Sequence, residues 1–119
     1  MGNPISKNLK KGTIGELFVQ LRLLEFGVQS APPIKDSGND LIAIRGETTK
    51  FIQVKTEHRL RNLPVVYHLV AIVDLKYDKN GIYLDKSAIW IVKKGEQLSK
   101  KQRLDQNLVN EIWGESKEL

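Results

Sequence analysis

Residues 38–58 read GNDLIAIRGETTKFIQVKTEH: two strand-like runs, DLIAIR and KFIQVKT, joined by GETT. Both runs are rich in β-branched and aromatic residues and are apolar on both faces, as central strands are, and Gly46 in the joint suits a hairpin connection. Asp40, Gln53 and Lys55 break that apolar pattern. A polar group buried in a sheet costs free energy unless it is paired, so three of them in one hairpin require either partners or a chemical role.

Centring the connection between Glu47 and Thr48 predicts that Asp40 faces Lys55 and Ile42 faces Gln53. Opposed Cβ atoms in such a pair lie about 5 Å apart and diagonal ones about 7 to 8 Å, so the acid, the amide and the amine are expected on one face of the sheet. A carboxylate oxygen and an amide oxygen at that spacing suit a hard cation such as Mg²⁺, which takes oxygen ligands and leaves positions for water and phosphate. An ammonium beside them can hold an attacking water or stabilise charge growing on a phosphoryl oxygen.

Outward from the hairpin, Ile14, Leu17, Phe18, Leu21 and Leu24 recur at helical spacing between Thr13 and Phe26, with Gly27 as a stop. Val19 and Leu23 fall on another side of this helix, which predicts a second cover, by another element or a partner subunit. VQSAPPI reads as a short strand ended by Pro32 and Pro33, and KDSGND as a turn in which Asp36 has the stronger claim to turn chemistry. Residues 57–64 read as a basic loop, VYHLVAIVDL as the longest strand, and IYL and AIWIV as further strands. Ser99 and Gln102 have capping-box spacing before an apolar stripe of Leu104, Leu108, Val109, Ile112 and Trp113, which predicts a closing helix. The pattern of helix, three strands, loop, more strands and helix implies an α/β or α+β fold.

The length of 119 residues fits one domain, 1–119, with one sizeable core. Lysine and arginine total 19 against 14 acidic residues, and the resulting charge of +5 favours a polyanionic partner without naming it. With no cysteine there is no disulfide scaffold, thiolate nucleophile or cysteine-bound zinc. Only His58 and His68 are present, with no H-E-x-x-H, G-x-S-x-G or phosphate-loop pattern, so zinc hydrolase, serine hydrolase and P-loop chemistries have no support. No apolar run is long enough to span a bilayer, and the expected location is cytoplasmic. MGNPIS fits the loose myristoylation pattern at Gly2, a weak match with Pro4 inside it.

In order and placement these residues resemble the PD-(D/E)XK nuclease superfamily, and within it the archaeal Holliday junction resolvases. That family has a glutamate early in its first helix, an aspartate opening the second strand, and Glu or Gln, any residue, then Lys on the third. Here KGTIGELF supplies Glu16, SGNDLIA supplies Asp40 and IQVK supplies Gln53 and Lys55. The resemblance spans about residues 10 to 58. It implies a restriction-endonuclease-like mixed β-sheet flanked by helices, with an α-β-β-β-(loop/α)-β core. It also implies a DNA endonuclease dependent on Mg²⁺ or Mn²⁺, a branched DNA substrate and a homodimer. Asp40, Gln53 and the Val54 backbone carbonyl would be metal ligands, Lys55 would handle the nucleophilic water, and Glu16 would be an outer ligand or water positioner. Lys10, Lys11, His58, Arg59 and Arg61 would contact phosphates, with Lys7 beside them. The Val19 and Leu23 face and Trp113 are candidate dimer contacts.

Two features keep a second reading open. Gln53 stands where glutamate is commoner, which keeps an oxygen but removes a negative charge and weakens a metal site. Glu16 follows Thr13 at capping-box spacing, Asp40 follows a turn, and Lys55 could extend from a sheet edge, so each has a structural role available to it. The alternative is a nucleic-acid-binding module on the same fold with cleavage lost. The clusters Lys93 and Lys94, and Lys100, Lys101 and Arg103, lie far from the site in sequence and read as solvated surface.

Overall fold

The structure is a computed structural model in which residues 7–34 and 40–115 are described, with side chains from residue 10 onward. The Gly2 pattern, the Lys7 side chain and the turn containing Asp36 lie outside the described residues. In chain order the elements are α1 (Lys7–Glu25), β1 (Gln29–Ala31), β2 (Leu41–Arg45), β3 (Thr48–Lys55), β4 (Leu69–Asp74), β5 (Tyr77–Asp78), β6 (Gly81–Ile82), β7 (Ala88–Lys93), β8 (Gln102–Arg103) and α2 (Gln106–Trp113). Six strands form one sheet in the order β1-β2-β3-β4-β7-β8, while β5 and β6 form a separate hairpin. The β3–β4 pair is parallel and the other pairs are antiparallel. The fold is therefore the mixed α+β sheet flanked by helices that the sequence implies, with the helix, three strands, loop and strand in the expected order.

A parallel pair needs a long crossover, and the segment between β3 and β4 supplies it. Its Leu60, Leu63 and Tyr67 pack on Val70, Ile72 and Val92, and together with Leu98 of a 3-10 turn cover one face of the sheet. The opposite face carries Leu41, Ala43, Ile52, Ala71 and Ile91, against which α1 and α2 close the main core.

The helix α1 buries only part of the expected stripe, Phe18 with Ile14 packed on the core. Val19 and Leu23 are fully buried against the sheet, whereas Leu17, Leu21 and Leu24 are 58%, 42% and 62% exposed. The reason is the close approach at Gly15: a Cβ there would sit 3.1 Å from Thr56 Cγ2, so the stripe running through Gly15 and Val19 is the one that lets helix and sheet meet. Trp113 is likewise buried, its Nε1 donating to the Ala43 carbonyl at 3.2 Å, so it is a core residue and no dimer contact.

The C-terminal helix begins later than the capping box suggests. Gln102 and Arg103 extend the sheet by pairing with Ile91 and Trp90, and Ser99 lies in a separate 3-10 turn, Leu98–Lys100, so neither Ser99 nor Gln102 caps the closing helix. Asp105 is the cap instead, accepting from Leu108 N at 2.7 Å. The long predicted strand also shortens at its start. His68 precedes β4, its Nδ1 accepting from Phe51 N at 2.9 Å, and burial first, then Lys50 and Lys94, hold its pKa below the usual histidine value. It is a satisfied strand-end residue, as its apolar setting implies.

Candidate active site

The β2–β3 hairpin positions the candidate residues, and its register differs from the sequence expectation. Arg45 pairs with Thr48 and Leu41 with Ile52, so the connection is the two residues Gly46 and Glu47 alone. Gly46 has φ +60°, the conformation required at the first position of a tight hairpin turn with glycine leading. Ile42 therefore faces Phe51. The two-residue turn moves the pairing by an even step, which preserves which side chains share a face.

At the far end of the hairpin the ladder breaks. Asp40 N donates to the carbonyl of Ile52 at 3.1 Å, yet Ile52 is already the partner of Leu41, so two residues stand against one in the manner of a β-bulge. Such a bulge redirects a side chain. Asp40 Oδ2 accepts from Val54 N at 2.7 Å, in the place where β2 would have continued. Asp40 is thus not opposed to Lys55, as the sequence register implied; its carboxylate lies at the gap beyond β2, against the backbone of Val54. N–H and C=O of one strand residue point to the same side, so the Val54 carbonyl is directed at the same gap.

Glu16 reaches this gap from α1. Its carboxyl shares a hydrogen bond with that of Asp40, and burial first, then the Asp40 charge and that bond, raise its pKa above the ordinary 4.5. Gly15, by permitting contact with Val54 and Thr56, sets the helix close enough for this. The sequence reading passed over Gly15; its signal was a glycine inside a strong helical pattern, which points to close packing.

Gln53 and Lys55 alternate with Val54 and Thr56, which face α1, and so project on the opposite face, beside Val70 and Ile72. Gln53 is 9% exposed, and its Oε1 is fully buried without a hydrogen-bond partner. An orphaned buried amide oxygen costs about 1 to 3 kcal/mol, a cost that a bound cation would relieve. Among the described residues no three His, Cys, Asp or Glu side chains gather as a metal site, so a cation here depends on the Gln53 amide and the Val54 carbonyl besides the two carboxylates. That mixed oxygen set fits a hard cation with retained waters.

The predicted phosphate contacts divide into two groups. Lys55, Arg59, Arg61 and Asn62 line one cleft of about 250 Å³, which brings the basic loop to the Lys55 end of β3. Arg61 pairs there with Glu57 at 3.2 Å, and His58 and Arg59 are exposed. Lys10 and Lys11 lie on α1 beside the β5–β6 hairpin, with Lys11 Nζ 6.0 Å from the Tyr77 ring centre.

The paired carboxyls give a pH prediction. The folded state holds the Glu16 proton more tightly than the unfolded chain, so this contribution to stability is full below pH 4.5 and is lost as pH rises through the raised value. Thermal melts in chelator should show a fall over that window which Glu16→Gln removes. An unchanged profile in the variant would separate Glu16 from Asp40.

Fold and geometry together define a six-stranded mixed sheet flanked by two helices, with two carboxyl groups at the gap beyond β2. Among solved structures the chain is similar to that of a bacterial homing endonuclease, I-Ssp6803I, with a TM-score of 0.50 and 14% identity over 84% of this chain and 79% of that one. No protein-family model and no curated protein matches the chain. The structural likeness shows a shared fold.

Proposed function

We propose that the chain is a DNA endonuclease that hydrolyses phosphodiester bonds with Mg²⁺ or Mn²⁺, acting on branched DNA. The observation that carries this is the gap beyond β2, where the Asp40 carboxylate and the Glu16 carboxyl meet at the Val54 backbone, on the strand that also carries the partnerless Gln53 oxygen. The fold shared with a homing endonuclease supports a DNA-cleaving reading, and branched DNA follows from the resemblance to resolvases. Asp40, Gln53 Oε1 and the Val54 carbonyl would hold the cation, with Glu16 as an outer ligand. A divalent cation so held supplies Lewis acidity to a phosphoryl oxygen and a more acidic water. Lys55 contributes an ammonium that orients the attacking water and offsets charge on the phosphate, while Arg59 and Arg61 grip the flanking backbone. The test is incubation with four-way junction, flap, linear and supercoiled DNA in each metal. Cutting of the junction in preference to the linear duplex is expected; no cutting of any substrate by folded protein would overturn the reading.

Gln53 and the small number of carboxylates favour one second reading, a nucleic-acid-binding module without turnover. It predicts junction binding that divalent metal leaves intact.

The homodimer part of the proposal rests on a different surface from the one the sequence indicated. Leu17, Leu21 and Leu24 join Pro33, Ile34 and Ile44 around an open apolar groove of about 900 Å³, beside the edge strand β1. Exposed leucines and isoleucines gathered around one groove suit a subunit contact. Leu21→Lys should convert a dimer into a monomer in light scattering with its melting profile retained; a monomeric parent protein would contradict the dimer.

A further inference from the structure

The sheet register places side by side residues that the sequence keeps far apart. Lys55 pairs with Ile72, Ile72 with Trp90, and Trp90 with Arg103, a row running across β3, β4, β7 and β8. Trp90 packs with Val70, Ile72 and Val92, on the face that bears Gln53 and Lys55 and lies opposite α1 and α2. Strands are spaced about 4.8 Å apart, so Arg103 stands about 14 Å from Lys55, roughly four nucleotide rises along one DNA strand.

At the end of this row Lys101 Nζ lies 5.2 Å and Arg103 Cζ 5.7 Å from the Trp90 ring centre. Neither cation is in a salt bridge among the described residues. A surface cation paired with a carboxylate gives up that weak pair to bind an anion, whereas one resting on an indole keeps its charge free and loses part of its rotamer freedom. Arg59 and Arg61 stand on the loop over the same face, at the Lys55 end. Basic residues thus stand at both ends of this row, with Val70, Ile72 and Val92 buried between them.

We propose that Lys101 and Arg103, ordered by Trp90, form a second phosphate-binding site that takes the nucleic-acid backbone beyond the scissile phosphate. The site rests on the DNA-cleaving reading for its ligand. With the ring already covered by two cations, the contact is to phosphate oxygens and carries no base preference.

The test is a titration of a fluorescent four-way junction and a linear duplex with the full chain in Ca²⁺, at several salt concentrations, followed by cleavage of the same DNAs in Mg²⁺. Lys101→Gln with Arg103→Gln is compared with Lys76→Gln and Lys86→Gln, which remove equal charge outside this row. Losing two phosphate contacts should lower the salt slope by about 1.8 and weaken binding roughly ten- to sixtyfold near 0.1 M salt, alike for all sequences. Arg103→Lys should restore most of the loss from Arg103→Gln. If the row variant behaves as the control does while the parent binds and cuts, this site is overturned and the nuclease reading stands. Should the parent bind with the predicted slope change but cut nothing, the site is supported and the catalytic reading fails. Absence of DNA binding by the parent, with binding of an acidic protein instead, would overturn both.

Discussion

Asp40→Ala is expected to slow the proposed DNA cleavage by about a thousandfold or more, because it would remove the central carboxylate of the proposed cation site and with it several kcal/mol of transition-state stabilisation. The same change leaves the Val54 amide without the acceptor it has at 2.7 Å, at a cost of about 1 to 3 kcal/mol in stability. Asp40→Asn separates the two effects. It keeps an oxygen for the Val54 N–H and loses the charge, so it should melt near the parent protein and still fail to cut. Single-turnover cleavage rates beside thermal melts check this, and a fully active Asp40→Asn would remove the carboxylate charge from the chemistry.

The second large effect is expected at Lys55. Its replacement by alanine should reduce the cleavage rate by about 10² to 10⁴, the range for loss of a positioned proton-handling or charge-stabilising group. The metal concentration giving half-maximal rate should stay as it is, because Lys55 supplies no ligand. Lys55→Arg should recover little, since a planar guanidinium neither occupies the place of the ammonium nor loses a proton in a protein. A shift in metal dependence with an unchanged maximal rate would assign Lys55 to ordering the gap instead.

Much of this arrangement was legible in the chain because polar residues inside apolar strands are expensive. Asp40, Gln53 and Lys55 stood out on that ground alone, and the order of helix, hairpin, loop and strands followed from periodicity and turn residues. The register of the hairpin was less legible: GETT offers more than one way to turn, and only the positive φ of Gly46 fixes the two-residue connection. Parity protected the grouping of Gln53 with Lys55, but the bulge at Asp40 depends on a competition between Asp40 and Leu41 for one carbonyl, which alternation does not reveal.

The buried face of α1 is only partly legible for a similar reason: Phe18 is buried as the stripe implies, while Leu17, Leu21 and Leu24 are exposed. Apolar residues occupy both sides of that helix, and the deciding factor is steric, the contact that Gly15 allows, more than hydrophobicity. The row from Lys55 to Arg103 crosses four strands and two long connections, so no local pattern announces it. Ser99 and Gln102 had the right spacing for a cap, but Gln102 pairs into the sheet and Asp105 offers the helix a better start.

On the proposed function, the Asp40 carboxylate, the Gln53 amide oxygen and the Val54 carbonyl hold one cation at the gap beyond β2. Anomalous diffraction from crystals soaked in Mn²⁺ locates such an ion directly, whether or not the crystal holds DNA. The account predicts one manganese peak bounded by those three oxygens, lost in Asp40→Asn. Manganese bound only elsewhere, with the Gln53 amide turned away from Asp40, would contradict it.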